Sequence, residues 1–232
     1  MTRRRIYISS SVLLLLALLF FVPLRTIFGG PGLSARKVDG IIWNGSIRDL
    51  RVGRIPVGDV NARLHFWPLF IGQAQISLSR GDAAFAPGVS GSVNRRIGGF
   101  EVKNFKATLP VAQLFAPLPA ENIELQDFSV RFIAGRCAEV AGNVRLTLRN
   151  SVPGFDLSNG LLAKPRCDRG QLLIPLLSQS AMERVDIRIA SDGTYSASIF
   201  LEGDRIEQAA PLALAGFRPV AGGYRMVRKG RF

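Results

Sequence analysis

Histidine, cysteine, activated serine and paired carboxylates carry most protein catalysis, and this chain is poor in them. His65 is the single histidine. It lies in Val60-Asn61-Ala62-Arg63-Leu64-His65-Phe66, where even positions are apolar and odd positions polar. On a strand that period of two places His65 on the solvent face. No serine-elbow motif accompanies it, so a Ser/His/Asp triad has no support. Asp39, Asp49, Asp59 and Asp82 stand singly beside glycines or turn residues. They read as turn formers, not as an acid/base pair. No cluster of His, Cys, Asp and Glu has metal-ligand spacing. The glycines between Gly88 and Gly99 do not open a helix, so a phosphate loop is unsupported. No catalytic residue, metal or cofactor is expected, and the chain is read as a non-enzyme.

Two cysteines remain, Cys137 and Cys167, without a Cys-x-x-Cys arrangement. In an oxidising compartment two cysteines in one domain pair; in a reducing one they stay free thiols. Pairing would close a loop of about 30 residues, worth roughly 3 kcal/mol on chain-entropy grounds. The compartment therefore decides their chemistry, and the first 24 residues decide the compartment. Arg3, Arg4 and Arg5 precede an uncharged stretch from Ile6 through Val12 to Leu24. Its 19 residues would rise about 28 Å as a helix, close to a bilayer's hydrocarbon core. No small-x-small cleavage site follows Leu24, which favours a retained anchor over a cleaved signal peptide. The arginines would hold residues 1–5 in the cytoplasm. Residues 25–36, with Gly29-Gly30-Pro31-Gly32, read as a flexible linker. Residues 37–232 would then form a periplasmic domain.

The elements of that domain read as strands. Val60–Phe66 and Gln73–Ser79 both alternate and flank an apolar corner, Trp67-Pro68-Leu69-Phe70-Ile71-Gly72. Alternation recurs in Phe128–Phe132 and Val140–Leu148. Val185–Ile189 and Tyr195–Ile199 flank Ser191-Asp192-Gly193-Thr194, a strong hairpin signal. Asn44-Gly45 is expected to end the first strand. Pro175 suggests that Leu172–Leu176 lies at a sheet edge. Pro110–Phe115 and Ile206–Pro211 are expected as short helices. With no βαβ rhythm, the fold class is mainly β: an N-terminal transmembrane helix, then an antiparallel, meandering, folded-over sheet of about a dozen strands. Such a sheet could form a β-sandwich or a taco-like shape.

Hydrophobic residues make up 47% of the chain and the formal charge is +13. The three N-terminal arginines account for three of those charges, leaving +10 for the exported part. Export and the lack of any nucleic-acid-binding signature argue against a nucleic-acid partner. Trp43 and Trp67 suit either the core or a contact surface; as exposed aromatics they would anchor an interface.

Val38-Asp39-Gly40-Ile41-Ile42-Trp43-Asn44-Gly45-Ser46 resembles the opening of protein N of the bacterial type II secretion system, with Ile41 where that pattern carries Thr. The later Leu64-His65-Phe66-Trp67-Pro68-Leu69 corner, the two cysteines and the closing Phe217–Phe232 segment follow in that family's order. The resemblance implies a bitopic inner-membrane accessory that acts through protein contacts. Its partners would be other components of the machine: secretin, inner-membrane platform and pseudopilins. A second reading stays open. AsmA-like and lipopolysaccharide-bridge families also place an anchor before a long β-sheet, whose apolar groove holds lipid.

Overall fold

The computed structural model describes residues 21–26, 32–80, 88–112, 120–148, 160–203, 209–214 and 216–231. Most of the expected span, including Ile6 and Val12, lies outside these residues. Among the described residues no helix is long and apolar enough to cross a membrane.

Sixteen strands form one sheet, and every recorded pairing is antiparallel. The first half comprises β1 (Leu33–Ser34), β2 (Lys37–Ile41), β3 (Asn44–Val52), β4 (Ile55–Leu64), β5 (Ala74–Arg80), β6 (Val89–Arg96), β7 (Gly99–Pro110) and β8 (Ala120–Ile133). The second half comprises β9 (Arg136–Leu148), β10 (Leu161–Ala163), β11 (Arg166–Asp168), β12 (Gln171–Leu177), β13 (Glu183–Ile189), β14 (Thr194–Glu202), β15 (Arg218–Val220) and β16 (Gly223–Arg231). Two short α-helices, α1 (Phe66–Leu69) and α2 (Ala209–Leu214), and a 3-10 turn at Leu24–Thr26 complete the described set. Strands pair almost entirely with their neighbours in sequence, as a meander requires. The described strands all belong to one open sheet, so they do not make the two-sheet sandwich.

Several boundaries differ from expectation for identifiable reasons. The first hairpin turns at Ile42–Trp43, not at Asn44-Gly45. Gly45 instead faces Gly40 across the ladder. A Cβ on Gly45 would lie 2.6 Å from Leu24 Cδ2 and 2.8 Å from the Asp39 carbonyl, so this glycine is required by close packing. Pro110 is not a helix start; it ends β7 opposite Asn122, and residues 113–115 lie outside the described set. The second expected helix is shifted to Ala209–Leu214. Pro175 is not on an edge. It lies within β12, opposite Asp186 of β13. On its other side, the pairings Leu162 with Leu177 and Arg166 with Leu173 keep one register. That register sets Lys164 opposite Pro175, where β10 gives way to β11. Proline has no N–H for the ladder, so the sheet tolerates it where the neighbouring strand is interrupted.

The phase of alternation changes within the long strands. In β8, Ile123 and Leu125 share the inner face with Phe128, Val130 and Phe132, an odd set followed by an even one. In β7 an even pair, Phe100 and Val102, precedes an odd set, Phe105, Ala107 and Leu109. Bulges absorb the extra residue at Asn104 and Asp127, both at positive φ (48° and 50°). Asn and Asp tolerate that region better than most residues. The Asn104 N–H donates to Ser129 Oγ at 2.9 Å, and Lys106 pairs with Asp127 at 3.0 Å. Glycines flank these bulges on both sides. A Cβ on Gly91 would meet Phe105 Cδ2 at 2.5 Å; one on Gly142, at φ 106°, would meet Phe128 Cα at 2.7 Å. Gly91, Phe105, Phe128 and Gly142 thus form a row across β6 to β9, and each bulge bends its strand. A further bulge lies between β3 and β4. There the Arg80 guanidinium lies over Gly58 and donates to the Val57 carbonyl at 2.7 Å. The Asp59 carboxylate accepts the Asp49 N–H at 2.8 Å.

The bent sheet carries two cores. The larger runs from β8 to β16, with Leu146, Leu176 and Ala197 fully buried and Leu212 of α2 and Phe217 packed in. The smaller joins Ile47, Leu50, Val57, Val60, Ala62, Val89 and Ala107 to Leu24. Phe105 packs against both. Cys137 of β9 and Cys167 of β11 form a disulfide, their Cα atoms 5.5 Å apart and separated by 30 residues.

Three measurements test this account. Gly142→Ala should destabilise the protein by on the order of 2–4 kcal/mol, from positive φ and backbone overlap together; urea unfolding reads the shift. Replacing both cysteines by serine should cost on the order of 2–4 kcal/mol, seen as a lower midpoint in non-reducing denaturant titration. The third concerns Asp192, whose carboxylate accepts the Thr194 N–H at 2.9 Å and its hydroxyl at 2.7 Å. Those bonds hold it below the ordinary carboxylate range, the backbone bond contributing most. A depressed folded-state value contributes stability above the unfolded value, near pH 4, and loses it as pH falls through the folded one. Asp192→Ala should therefore destabilise at neutral pH and converge on the parent in strong acid; a constant difference across the titration would refute this.

Candidate functional site

Because neighbouring strands alternate in direction, every second connection lies at the same end of the sheet. The turns at residues 42–43, 65–73, 97–98, 134–135, 169–170 and 191–193 share one end. The chain also enters the domain there. Pro23 bridges to Ile41, the Ile42 N–H donates to the Val22 carbonyl at 3.1 Å, and the Leu64 N–H donates to the Ile42 carbonyl at 3.0 Å. Val22, Ile42 and Leu64 are thus tied in a row beside α1.

This end carries an exposed aromatic cluster. Proline pre-sets the one-turn helix α1, whose carbonyls at Trp67, Pro68 and Leu69 accept from Phe70, Ile71 and Gly72. Phe66 is central: its ring is 5.5 Å from Trp43, 6.2 Å from Trp67 and 5.0 Å from Phe70, all edge-on. Such T-shaped pairs are favourable arrangements for aromatic rings. Trp67 is 80% exposed, Phe70 and Ile71 about as much, and Ile97 on the adjacent turn 99%. Leu69, Gly72, Arg95, Arg96 and Ile97 line a shallow cleft of about 470 Å³ between the corner and that turn.

The sequence-derived candidates fall in different places. Trp43 is half-buried and reaches the cluster through Phe66; Trp67 stands on its outer side. Ile6 and Val12 lie outside the described residues. Leu24, read as the last residue of the span, is 8% exposed in the smaller core and packs over Gly45. Cys137 and Cys167 are joined far from the cluster in sequence, beside Asp168. Arg188 donates to the Asp168 carboxylate and is the main cause holding it below the usual range. His65 is half-buried rather than solvated, with Nε2 2.7 Å from Ser77 Oγ. Glu183 is buried but its carboxylate accepts from Ser180 Oγ at 2.9 Å, closing the turn before β13. Among the described residues no three His, Cys, Asp or Glu side chains group to hold a metal.

Phe66, Phe70, Ile71 and Ile97 were not singled out by sequence reasoning. The available signal was the unbroken run Phe66-Trp67-Pro68-Leu69-Phe70-Ile71. It has neither a two-residue nor a 3.6-residue period, so a short corner cannot bury all of it.

Comparison with known proteins gives a consistent result. A curated relative, the type II secretion system protein N of Vibrio cholerae serotype O1, is 29% identical over 122 residues, 49% of this chain and 48% of that protein. The chain thus spans about half the length of the curated relative it matches. No solved structure matches. The family described as type II secretion system (T2SS), protein N, matches residues 31–228, a range that takes in nearly all the described strands and the aromatic corner. The chain belongs to the type II secretion system protein N family.

Proposed function

We propose that this protein is a bitopic inner-membrane accessory of the type II secretion machine, acting through protein contacts to support export of folded proteins across the outer membrane. The uncharged run from Ile6 serves as the anchor segment and ends before Val22–Leu24, which pack with the sheet; residues 1–5 face the cytoplasm, and the β domain from residue 37 lies in the periplasm. The family match over residues 31–228 carries this reading. The uncharged run after three arginines and the disulfide between Cys137 and Cys167 support the topology, since disulfides persist in oxidising compartments. The plausible partners are the secretin, the inner-membrane platform and the pseudopilins.

The chemistry available fits contact rather than turnover. The His65–Ser77 pair is a lone hydrogen bond on one face. The cleft of about 280 Å³ beside Phe100 and Phe132 is also lined by Arg96, Glu101 and Arg131, and Glu101 is already paired with Lys103 at 3.2 Å.

Affinity capture of the tagged full chain from solubilised membranes should recover secretin or platform components, and a strain lacking the protein should retain normally exported proteins in the periplasm. Capture of lipid alone, with export unchanged, would overturn the reading in favour of lipid transfer.

A further inference from the structure

The exposed apolar cluster and the entry point of the chain occupy the same end of the domain, and their juxtaposition points to one occupant. Phe21, 76% exposed, leads directly into Val22, whose carbonyl is bound by Ile42 in the turn that bears Trp43. Upstream, Ile6 to Leu24 contains no charge. A chain leaving a bilayer at Phe21 would bring this end of the sheet against the lipid surface within a few residues.

The side chains there suit that position. Tryptophan and phenylalanine rings settle at the boundary between headgroups and acyl chains. Trp67, Phe70, Ile71 and Ile97 project from two neighbouring turns, an arrangement of short apolar tips rather than a groove. Arg95 and Arg96 border the same cleft, and Arg25 follows Leu24 directly. Cationic side chains at this depth attract anionic headgroups. No glutamate or aspartate lies among the residues lining the cleft; Arg96, half-exposed, also pairs at 4.0 Å with Glu101 beyond it.

We propose that this end of the β domain docks on an anionic lipid bilayer, with Trp67, Phe70, Ile71 and Ile97 inserted at the headgroup boundary and Arg95 and Arg96 against phosphates. The proposal rests on the anchor reading above for its geometry. It assigns the domain a fixed orientation: the opposite end, with the turns at Gly53-Arg54 and residues 178–182, faces away from the membrane.

The protein's two tryptophans make the test direct. The full chain is reconstituted in vesicles of phosphatidylcholine and phosphatidylglycerol, with or without lipid brominated near the top of the acyl chain, which quenches tryptophan on contact. In Trp43→Phe, where Trp67 alone reports, fluorescence should fall roughly twofold or more, as for an interfacial aromatic. Phe70→Ser with Ile71→Ser should reduce that quenching. A reporter at the far end, Met182→Trp in the Trp43→Phe, Trp67→Phe background, should stay unquenched. Carbonate washing of the same vesicles separates the two readings. Protein that is retained but unquenched at Trp67 overturns the docking surface and leaves the anchor standing. Protein that is released yet quenched supports the surface and overturns the anchor; released and unquenched protein overturns both. Equal quenching at Trp67 and at position 182 overturns the orientation and with it the proposal.

Discussion

Among the described residues Phe105 alone packs against both cores, and it fits because the strands beside it give way. A flat sheet offers each face a single plane, and a side chain in one core would not reach the other. The bulge at Asn104 re-aims Phe105, and Gly91 leaves the space its ring needs. Phe128 and Gly142 repeat the device two strands on, again as a large ring against a missing Cβ. Packing and backbone conformation are inseparable here. A larger residue at either glycine would be excluded by atoms of a neighbouring strand, and a strand without its bulge would turn its later apolar residues to solvent. The long strand β7 thus serves both cores while remaining a single continuous element.

This constraint has consequences for the sheet's margins. With its apolar face committed to the two cores, the sheet's margins are its edges and its turns. The edges are poor templates for pairing. β15 is three residues long and contains Pro219, and β2 places Lys37 and Asp39 on the opposite margin; short, charged and proline-bearing edges resist uncontrolled strand addition. The turns are less uniform. Most carry glycine and polar residues, whereas the corner between β4 and β5 carries a connected set of aromatic rings. The distinctive surface among the described residues lies next to the point of chain entry.

The strand character of the fold was legible because alternation is a local signal. Val60–Leu64, Val140–Leu148 and the hairpin through Asp192-Gly193 needed no distant information, and each stands where the residues indicated. What was not legible depended on neighbours. Gly45 resembled a turn residue, and only the presence of Leu24 above it explains why the turn falls two residues earlier. Pro175 resembled an edge residue because the interruption of the partner strand at Lys164 is a property of the pair. The bulges were hidden for a related reason: a change of phase in one strand looks like the end of that strand until its partner is seen to continue. The disulfide required only the inference of compartment. The aromatic surface was half legible; Trp67 could be named, but its exposure and its company with Phe66, Phe70 and Ile97 arise from the corner and the adjoining turn together.

The order of strands in the sheet follows the order of strands in the chain so closely that it bears on how the domain comes into being. A polypeptide being synthesised emerges from its N-terminal side first. From β3 to β10 and from β12 to β14 each arriving strand finds a partner already in place, and the loop to be closed stays short, which keeps its entropic cost small. No early strand must wait for a partner near the C-terminus. The unpaired margin advances with the chain as far as β14; β16, the last strand, then lies between β14 and β15, and the short, proline-bearing β15 is the edge. The architecture is therefore suited to construction in the direction of synthesis, largely one strand at a time.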